Sequence, residues 1–440
     1  MRRKLQILLI GLLAAVLAIV AWQFLFPASS TIGEQADYGP SPQLVEPHKT
    51  LVPVVRPAKA VGWPPGQMPS PASGLEINAF ASGLDHPRWL YVLPNGDVLV
   101  AESNAPEGSG LCSDFKNFAA GVVLKYGGAR TPSADRITLH RDTNGDGAAD
   151  ESHVFAAGLH SPFGMALIDS HLYIANADAL LRFPYRPGQT TLTDSPEVIA
   201  QLPAGKNHHW TKNILPTPDK HGLFITVGSN SNVGECGPEV EEGRAAIHRL
   251  DLESGEMELF AHGLRNPNGM AIEPSTNTLW TVVNERDELG SDLVPDYATA
   301  VRKGDFFGWP YVYFGDKPQP GLDARWPDRH PVARTPDYAL GAHTASLDIE
   351  FSYDSALPEK WRRGMFVSQH GSWNRHPVSG YRVIYIPFES GVPKGEPVEV
   401  VSGFLDSDGH ARGRPVGMAL DGTGALLIAD DVGNVVWRVR

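Results

Sequence analysis

Cysteine is nearly absent from this chain: Cys112 and Cys236 are the two thiols in 440 residues. Two cysteines cannot build a disulfide framework or a Cys-based zinc cluster. Cations are also short, with 37 Lys and Arg against 50 Asp and Glu, a formal net charge of −13. A net-acidic surface disfavours nucleic acid and anionic lipid as bulk partners, so no nucleic-acid role is expected. Beyond residue 26 no stretch runs long enough without charge to cross a bilayer. What the chain has in quantity is punctuation. Its 45 glycines and 37 prolines break helices too often for an all-helical protein. Hydrophobic residues at 42% and aromatics at 9% exclude global disorder.

The N-terminus carries the one long apolar run. Met1-Arg2-Arg3-Lys4 is followed by residues 5–26 without a charge, enough for a helix across a bilayer core of about 30 Å. Trp22 and Phe26 fall where interfacial aromatics belong, and the basic side stays cytoplasmic. The reading is a single-pass inner-membrane anchor over 1–26 with the remainder in the periplasm. The alternative is a signal peptide cleaved near Ala28-Ser29-Ser30. Residues 27–74 are rich in proline and read as an extended periplasmic tether. The folded domain is then 75–440. In an oxidising exterior Cys112 and Cys236 could pair, each following a strand-then-loop pattern; two buried free thiols are the alternative.

One phrase recurs. Phe80-Ala81-Ser82-Gly83-Leu84 precedes His86-Pro87-Arg88, and Phe155-Ala156-Ala157-Gly158-Leu159 precedes Ser161-Pro162-Phe163-Gly164-Met165. Phe260-Ala261-His262-Gly263-Leu264 precedes Asn266-Pro267-Asn268-Gly269-Met270, and a looser copy ends at Arg414-Pro415-Val416-Gly417-Met418. After each come two short apolar runs separated by a turn, read as alternating strands. With two weaker copies there are six units, starting near 80, 155, 199, 260, 343 and 401. Six sheet units of this size predict an all-β, six-bladed β-propeller, with residues 435–439 available to close the ring. A solenoid would need shorter and more even periods.

Propeller loops leading to the innermost strands gather at one mouth of a central channel, so the polar residues there are the candidate site. His208 and His209 are adjacent in an extended segment and point opposite ways, so one of them faces the channel. A histidine can act as a general base near neutral pH. Arg265 offers a planar fork suited to carboxylate or quinone oxygens, and Asn266 follows it. Asn284-Glu285-Arg286-Asp287-Glu288 and His370-Gly371-Ser372-Trp373-Asn374-Arg375 leave second strands at the same mouth. Strand ends there expose carbonyls and carboxylates suited to a hard cation. Separately, Asp142, Asn144, Asp146 and Asp150 fall at positions 1, 3, 5 and 9 of an EF-hand-type loop with Gly147 at position 6, read as a structural calcium site. His153 stands at position 12 where such loops carry Glu. Pocket walls are expected from long loops such as 104–120 and 231–245.

Taken together, residues 75–440 resemble the sorbosone/glucose dehydrogenase family, the soluble-type pyrroloquinoline quinone (PQQ)-dependent aldose dehydrogenases, with the sorbosone branch closest. The resemblance rests on an ordered set: His209-Trp210-Thr211-Lys212-Asn213, Arg265-Asn266-Pro267-Asn268-Gly269, the Asn284 to Gly290 run with Val294-Pro295-Asp296-Tyr297, Phe307-Gly308-Trp309-Pro310, and Gly371-Ser372-Trp373-Asn374-Arg375. It implies a six-bladed propeller with PQQ and calcium at the channel mouth, oxidising an aldose or sugar aldehyde and passing electrons to a quinone or cytochrome. On that resemblance His209 is the catalytic base, and Arg265 and Asn266 stand beside the quinone oxygens. The carbonyls of Glu285 and Arg286 hold the cofactor-facing calcium, and Arg375 binds a cofactor carboxylate. His343 stands where glucose-oxidising relatives use Lys. Lys212, Arg414 and Arg88 are further cofactor cations placed by blade position. The mouth is therefore expected to be locally cationic within an acidic protein. Two other classes stay open: a calcium-centred propeller hydrolase such as a sugar lactonase, and a non-catalytic binding propeller.

Overall fold

The computed structural model describes residues 22, 28–33, 35–49, 54–110, 112–113, 121–123, 125–128 and 131–440. The expected anchor at 1–26 lies, Trp22 apart, outside the described residues. Among the described residues no helix is long and apolar enough to cross a membrane.

Six antiparallel sheets surround a channel. Blade 1 runs from its inner strand Pro87–Val92 through Val98–Glu102 and Arg136–Arg141 to the outer strand Glu151–Ala157. Blade 2 holds Met165–Ile168, His171–Ala175, Ala179–Pro184 and Glu197–Gln201, and blade 3 Ile214–Pro216, Gly222–Val227, Ala246–Asp251 and Met257–His262. Blade 4 holds Pro267–Glu273, Thr278–Val283, Pro295–Val301 and Tyr338–Ala342. Blade 5 holds Ser346–Phe351, Gly364–Gln369, Arg382–Glu389 and Val398–Ser402. Blade 6 holds Pro415–Leu420, Leu426–Asp430 and Val435–Val439, completed by Ile77–Ser82 from the start of the domain. The inner strands pack in order around the ring, blade 6 against blade 1. The expected propeller is present, closed by pairing Val435–Val439 with Ile77–Ser82.

The repeated phrase turns out to straddle blade boundaries. Phe80, Phe155 and Phe260 end outer strands, and the following segment leads into the next blade's inner strand. The glycine after each, Gly83, Gly158 and Gly263, has φ near +70 to +75°, a left-handed corner that glycine takes without a Cβ penalty. The later glycine, in the Gly-Met pair, serves a close approach. A Cβ on Gly164 would sit 2.8 Å from Asn213 Cα, just before the inner strand of blade 3, and one on Gly269 would sit 2.6 Å from Asp348 Cα, on the inner strand of blade 5. Register shifts at the starts of four inner strands, Pro87/Trp89, Pro267/Met270, Ser346/Asp348 and Pro415/Met418, are bulges that re-aim side chains at the mouth.

Alternation is weaker than the sequence suggests. Second strands such as Val98–Glu102, Gly222–Val227 and Gly364–Gln369 are buried along their whole length, because a neighbouring blade covers each face. The core is therefore a ring of sheet-on-sheet interfaces, for example Trp280, Tyr338, Ile349, Met365 and Phe388 between blades 4 and 5.

The proline-rich segment is not a free tether. Tyr38–Gly39 adds a strand to the outer edge of blade 4, and Ser70–Pro71 adds one to blade 5. Between them Trp63 donates Nε1–H to Asp430 Oδ2 at 2.7 Å and packs edge-on against Phe404 and Trp437. Apolar residues between the prolines, and exposed sheet edges that need partners, turn the segment into a strap across blades 4 to 6. Cys112, in the insertion between the second and third strands of blade 1, is disulfide-bonded to Cys236 of blade 3, with Cα atoms 5.8 Å apart.

Trp63→Ala should cost about 3 kcal/mol of stability, the range for a truncated core aromatic. Guanidinium unfolding reads this; a loss under about 0.5 kcal/mol would fit a free tether instead.

Candidate active site

At the mouth, loops from blades 3, 4 and 5 enclose a cavity of about 300 Å3. His208 and His209 reach it from the loop before Ile214–Pro216, and Arg265 and Asn266 from the loop before Pro267–Glu273. Asn284, Glu285, Asp287 and Glu288 reach it from the end of Thr278–Val283, and Asp296 from the next strand. His343 and Ala345 precede the inner strand of blade 5, and Trp373 and Asn374 follow its second strand. Asn232 and Glu235 follow the second strand of blade 3, and Val123 comes from the blade 1 insertion.

Both histidines of the pair line the cavity, with ring centroids 4.5 Å apart, so the expectation that only one would face it is corrected. Residues 207–213 belong to no strand and the chain bends at His208 and His209, which removes the two-residue alternation. His209 Nδ1 lies 2.7 Å from the Ser229 carbonyl and 3.1 Å from Ser229 Oγ. A carbonyl only accepts, so Nδ1 carries the proton and Nε2 keeps its lone pair. Burial, then His208 and Arg265, hold the His209 pKa well below the usual histidine range. His208 is pushed down to about 4 by burial and by Arg265. Both rings are neutral at pH 7.

Arg265 is 4% exposed. Its Nε donates to the Asn232 carbonyl at 3.0 Å, Nη2 to Asn232 Oδ1 at 3.1 Å, and Nη1 to the carbonyls of Asn284 at 3.2 Å and Glu285 at 2.7 Å. Asp287 Oδ2 lies 3.7 Å away. Beside it, Asn266 Oδ1 is buried with no partner among the described residues.

The wall is acidic. Glu235, Glu285, Asp287, Glu288 and Asp296 face the cavity with one guanidinium. Burial pushes Glu285 up to about 7 and Asp296 to about 6. Burial also pushes Asp287 upward, but His343, Arg265 and Asn374 outweigh it and hold the carboxyl below its ordinary value. The expectation of a cationic mouth is thus corrected for this cavity.

Several expected cofactor cations are engaged elsewhere. Lys212 is fully buried, its Nζ donating to Asn207 Oδ1 and the Trp210 carbonyl, both at 3.0 Å. Arg375 faces the strap, 3.3 Å from Ser30 Oγ and 3.5 Å from Asp292 Oδ1. Arg88 pairs with Asp431, which His370 Nε2 approaches at 2.9 Å and His86 Nε2 at 3.6 Å. Arg414 stacks over Tyr381 at 5.0 Å. The Arg88–Asp431 group adjoins the cavity through one backbone bond, His370 N–H to the Ala345 carbonyl at 3.0 Å. His343 lines the cavity, but its Nε2 lies 2.9 Å from the Gly290 carbonyl, and its Nδ1 lies 3.1 Å from Asn374 Nδ2 and 3.5 Å from Asp287 Oδ1.

Of the expected calcium ligands, the Glu285 carbonyl accepts from Arg265 Nη1 at 2.7 Å, while the Arg286 side chain donates to Gln319 Oε1 and the Pro320 carbonyl. In the EF-hand-like loop, Asp142 accepts the N–H groups of Gly145 and Gly147, Asn144 that of Asp146, Asp146 that of Ala148, and Asp150 that of Thr143. Asp142, Asp146 and Asp150 are not gathered at metal-ligand distance. Among the described residues only Asp406, Asp408 and His410 are.

Sequence reasoning missed Asn232, Glu235 and Val123 as individual residues. Asn232 stands the same distance past its blade's second strand as Asn374 does in blade 5, and that equivalence is the signal that points to it.

Fold and site together define a propeller with a small, polar, enzyme-like cavity at one channel mouth. The TrAA12-like family model matches residues 133–303 and 313–440, and the chain belongs to that family. It is 25% identical over 363 residues to a pyrroloquinoline quinone-dependent pyranose dehydrogenase of Coprinopsis cinerea, covering 72% of this chain and 44% of that enzyme. The chain thus spans less than half the length of that relative. The holo PQQ domain of pyranose dehydrogenase from Coprinopsis cinerea has the same fold, with a TM-score of 0.65 at 19% identity over 86% of this chain and 98% of that one. A Trichoderma reesei Carbohydrate-Active Enzymes Family AA12 structure gives 0.66 at 17% identity over 89% of this chain and 100% of that one.

Glu285 has a folded pKa of about 7 against an ordinary 4.5. Between those values the folded state holds the proton more tightly, so this group's contribution to stability falls as pH rises. Glu285→Gln should therefore raise Tm at pH 8, by up to roughly 3 kcal/mol equivalent, and change it little at pH 5. Equal effects at both pH values would contradict the assignment.

Proposed function

We propose that this chain is a PQQ-dependent dehydrogenase that oxidises an aldose or a sugar aldehyde of the sorbosone type and passes electrons to a quinone or cytochrome. The observation that carries the reading is His209. It is a buried, neutral imidazole whose tautomer is fixed by the Ser229 carbonyl, on the same cavity as Arg265 and the unpartnered Asn266 oxygen. Membership of the TrAA12-like family and the named quinone-dependent relative support the cofactor class.

The residues present fit such a group. The cavity lies at the small end of ligand sites, and amides of Asn232, Asn266, Asn284 and Asn374 with Arg265 offer polar contacts for a flat, oxygen-rich molecule. Trp373 and the two histidine rings supply flat walls. A tricarboxylate facing five carboxylates needs a divalent cation between them, and oxygen donors of that kind suit calcium. Glu285, Asp287 and Asp296 line the same cavity and give it the negative charge such a cation would meet, although their oxygens are not gathered at metal-ligand distance. PQQ when bound supplies the hydride-accepting quinone. His209 Nε2 takes the substrate hydroxyl proton, Arg265 and Asn266 Nδ2 orient the oxygens of the acceptor, the open Asn266 Oδ1 accepts from a substrate hydroxyl, and Trp373 shields the cavity from water.

We assign the protein to the inner membrane or periplasm. The Cys112–Cys236 bond supports an oxidising compartment. The acidic wall favours one second reading, a calcium-dependent sugar lactonase, which would hydrolyse lactone without PQQ.

The test is dye reduction driven by aldoses after adding PQQ and calcium to the purified chain. His209→Ala should keep PQQ affinity and lower turnover about a hundredfold or more. Turnover unchanged in that variant removes His209 from its role, and lactone hydrolysis without PQQ would favour the second reading.

A further inference from the structure

The loop that follows the second strand of blade 3 clamps Arg265, and a covalent bond to another blade holds the loop. Asn232 is 7% exposed and sits at the centre. Its carbonyl accepts Arg265 Nε at 3.0 Å and Trp309 Nε1 at 3.1 Å. Its side-chain oxygen accepts Arg265 Nη2 at 3.1 Å and Asp287 N–H at 2.9 Å, and its Nδ2 donates to the Asp287 carbonyl at 3.4 Å. One residue therefore fixes both the cavity's guanidinium and the backbone that presents an acidic wall residue.

The same loop is tied from behind. Glu235 takes the N–H groups of Asn232 at 3.3 Å and Val233 at 2.8 Å, and the next residue is Cys236, bonded to Cys112. Residues 228–237 belong to no strand, so the sheet does not set their position. The bond joins positions 124 residues apart and reaches the insertion that also brings Val123 to the cavity. Cys112 is exposed and Cys236 half-buried, so a small reductant can reach the bond.

We propose that Asn232 is a positioning residue for Arg265 and Asp287, and that the Cys112–Cys236 bond holds Asn232 in place, so that reduction frees Arg265 while the propeller stays folded. What a fixed Arg265 does for turnover rests on the function proposed above; the clamp itself does not. Reduction by dithiothreitol converts the bond to two thiols while the reagent becomes its cyclic disulfide, which balances electrons and protons.

The experiment labels guanidinium groups of the full chain with phenylglyoxal, without any cofactor, and reads each arginine by peptide mass spectrometry. In the oxidised protein Arg265 should label slowly, like the buried Arg375, and Arg186, with a side chain 72% exposed, should label fast. Reduction with thiol capping, and separately Asn232→Ala and the double variant Cys112→Ser/Cys236→Ser, should raise Arg265 labelling about fivefold or more while Arg375 stays protected. Unchanged Arg265 labelling overturns the proposal, and so does a parallel rise at Arg375, which marks general loosening. Reduced wild-type protein keeps the test decisive if a variant does not fold. A clamp that opens in a chain that binds no PQQ would overturn the function proposed above and leave the clamp standing.

Discussion

One guanidinium organises the mouth of this propeller. Arg265 is buried against the carbonyls of Asn232, Asn284 and Glu285, so it joins loops of blades 3 and 4 at a point where neither sheet can do so. A buried cation needs such partners, and the carbonyl cage satisfies its donors without neutralising it. Its remaining charge lies 3.7 Å from Asp287 and shares the cavity with Glu235, Glu285, Glu288 and Asp296. Burial is the main cause that raises Glu285 and Asp296, and the Asp296 charge adds to it at Glu285. The proposed cation would offset that negative charge.

The fold serves this arrangement through small backbone devices. Inner strands approach closely enough that Gly164 and Gly269 tolerate no side chain, and bulges at strand starts turn the next residues toward the channel. The strap adds edge strands to blades 4 and 5 and meets the loops carrying Asp292 and Arg375. A segment outside the ring thus braces the loops next to the cavity.

The ring was legible in the sequence because blade junctions demand similar chemistry: a left-handed glycine and a turn, followed at three of the six by a Gly-Met pair. His209, Arg265 and Asn266 were legible because they sit at equivalent junctions. Side-chain direction was not. Lys212, before the inner strand of blade 3, and Arg375, after the second strand of blade 5, point to Asn207 and to the strap, where Asn207 Oδ1, the Trp210 carbonyl, Ser30 Oγ and Asp292 accept from them. The acidic loop at 142–150 has calcium-like spacing, but its oxygens cap its own backbone N–H groups, which the same residues do in any tight Asx turn. Asn232 escaped notice because its role depends on two loops distant in sequence. The strap escaped notice because proline content signals extension and says nothing of what the extended chain lies against.

The central claim is that the acidic wall and Arg265 form one site, complete only when a divalent cation accompanies an anionic quinone. Calorimetric titration of PQQ into the purified chain, with calcium and with a chelator, tests this directly. The account predicts micromolar or tighter binding with calcium and a loss of about a hundredfold or more without it. Equal affinity in both conditions, or no binding in either, would contradict it.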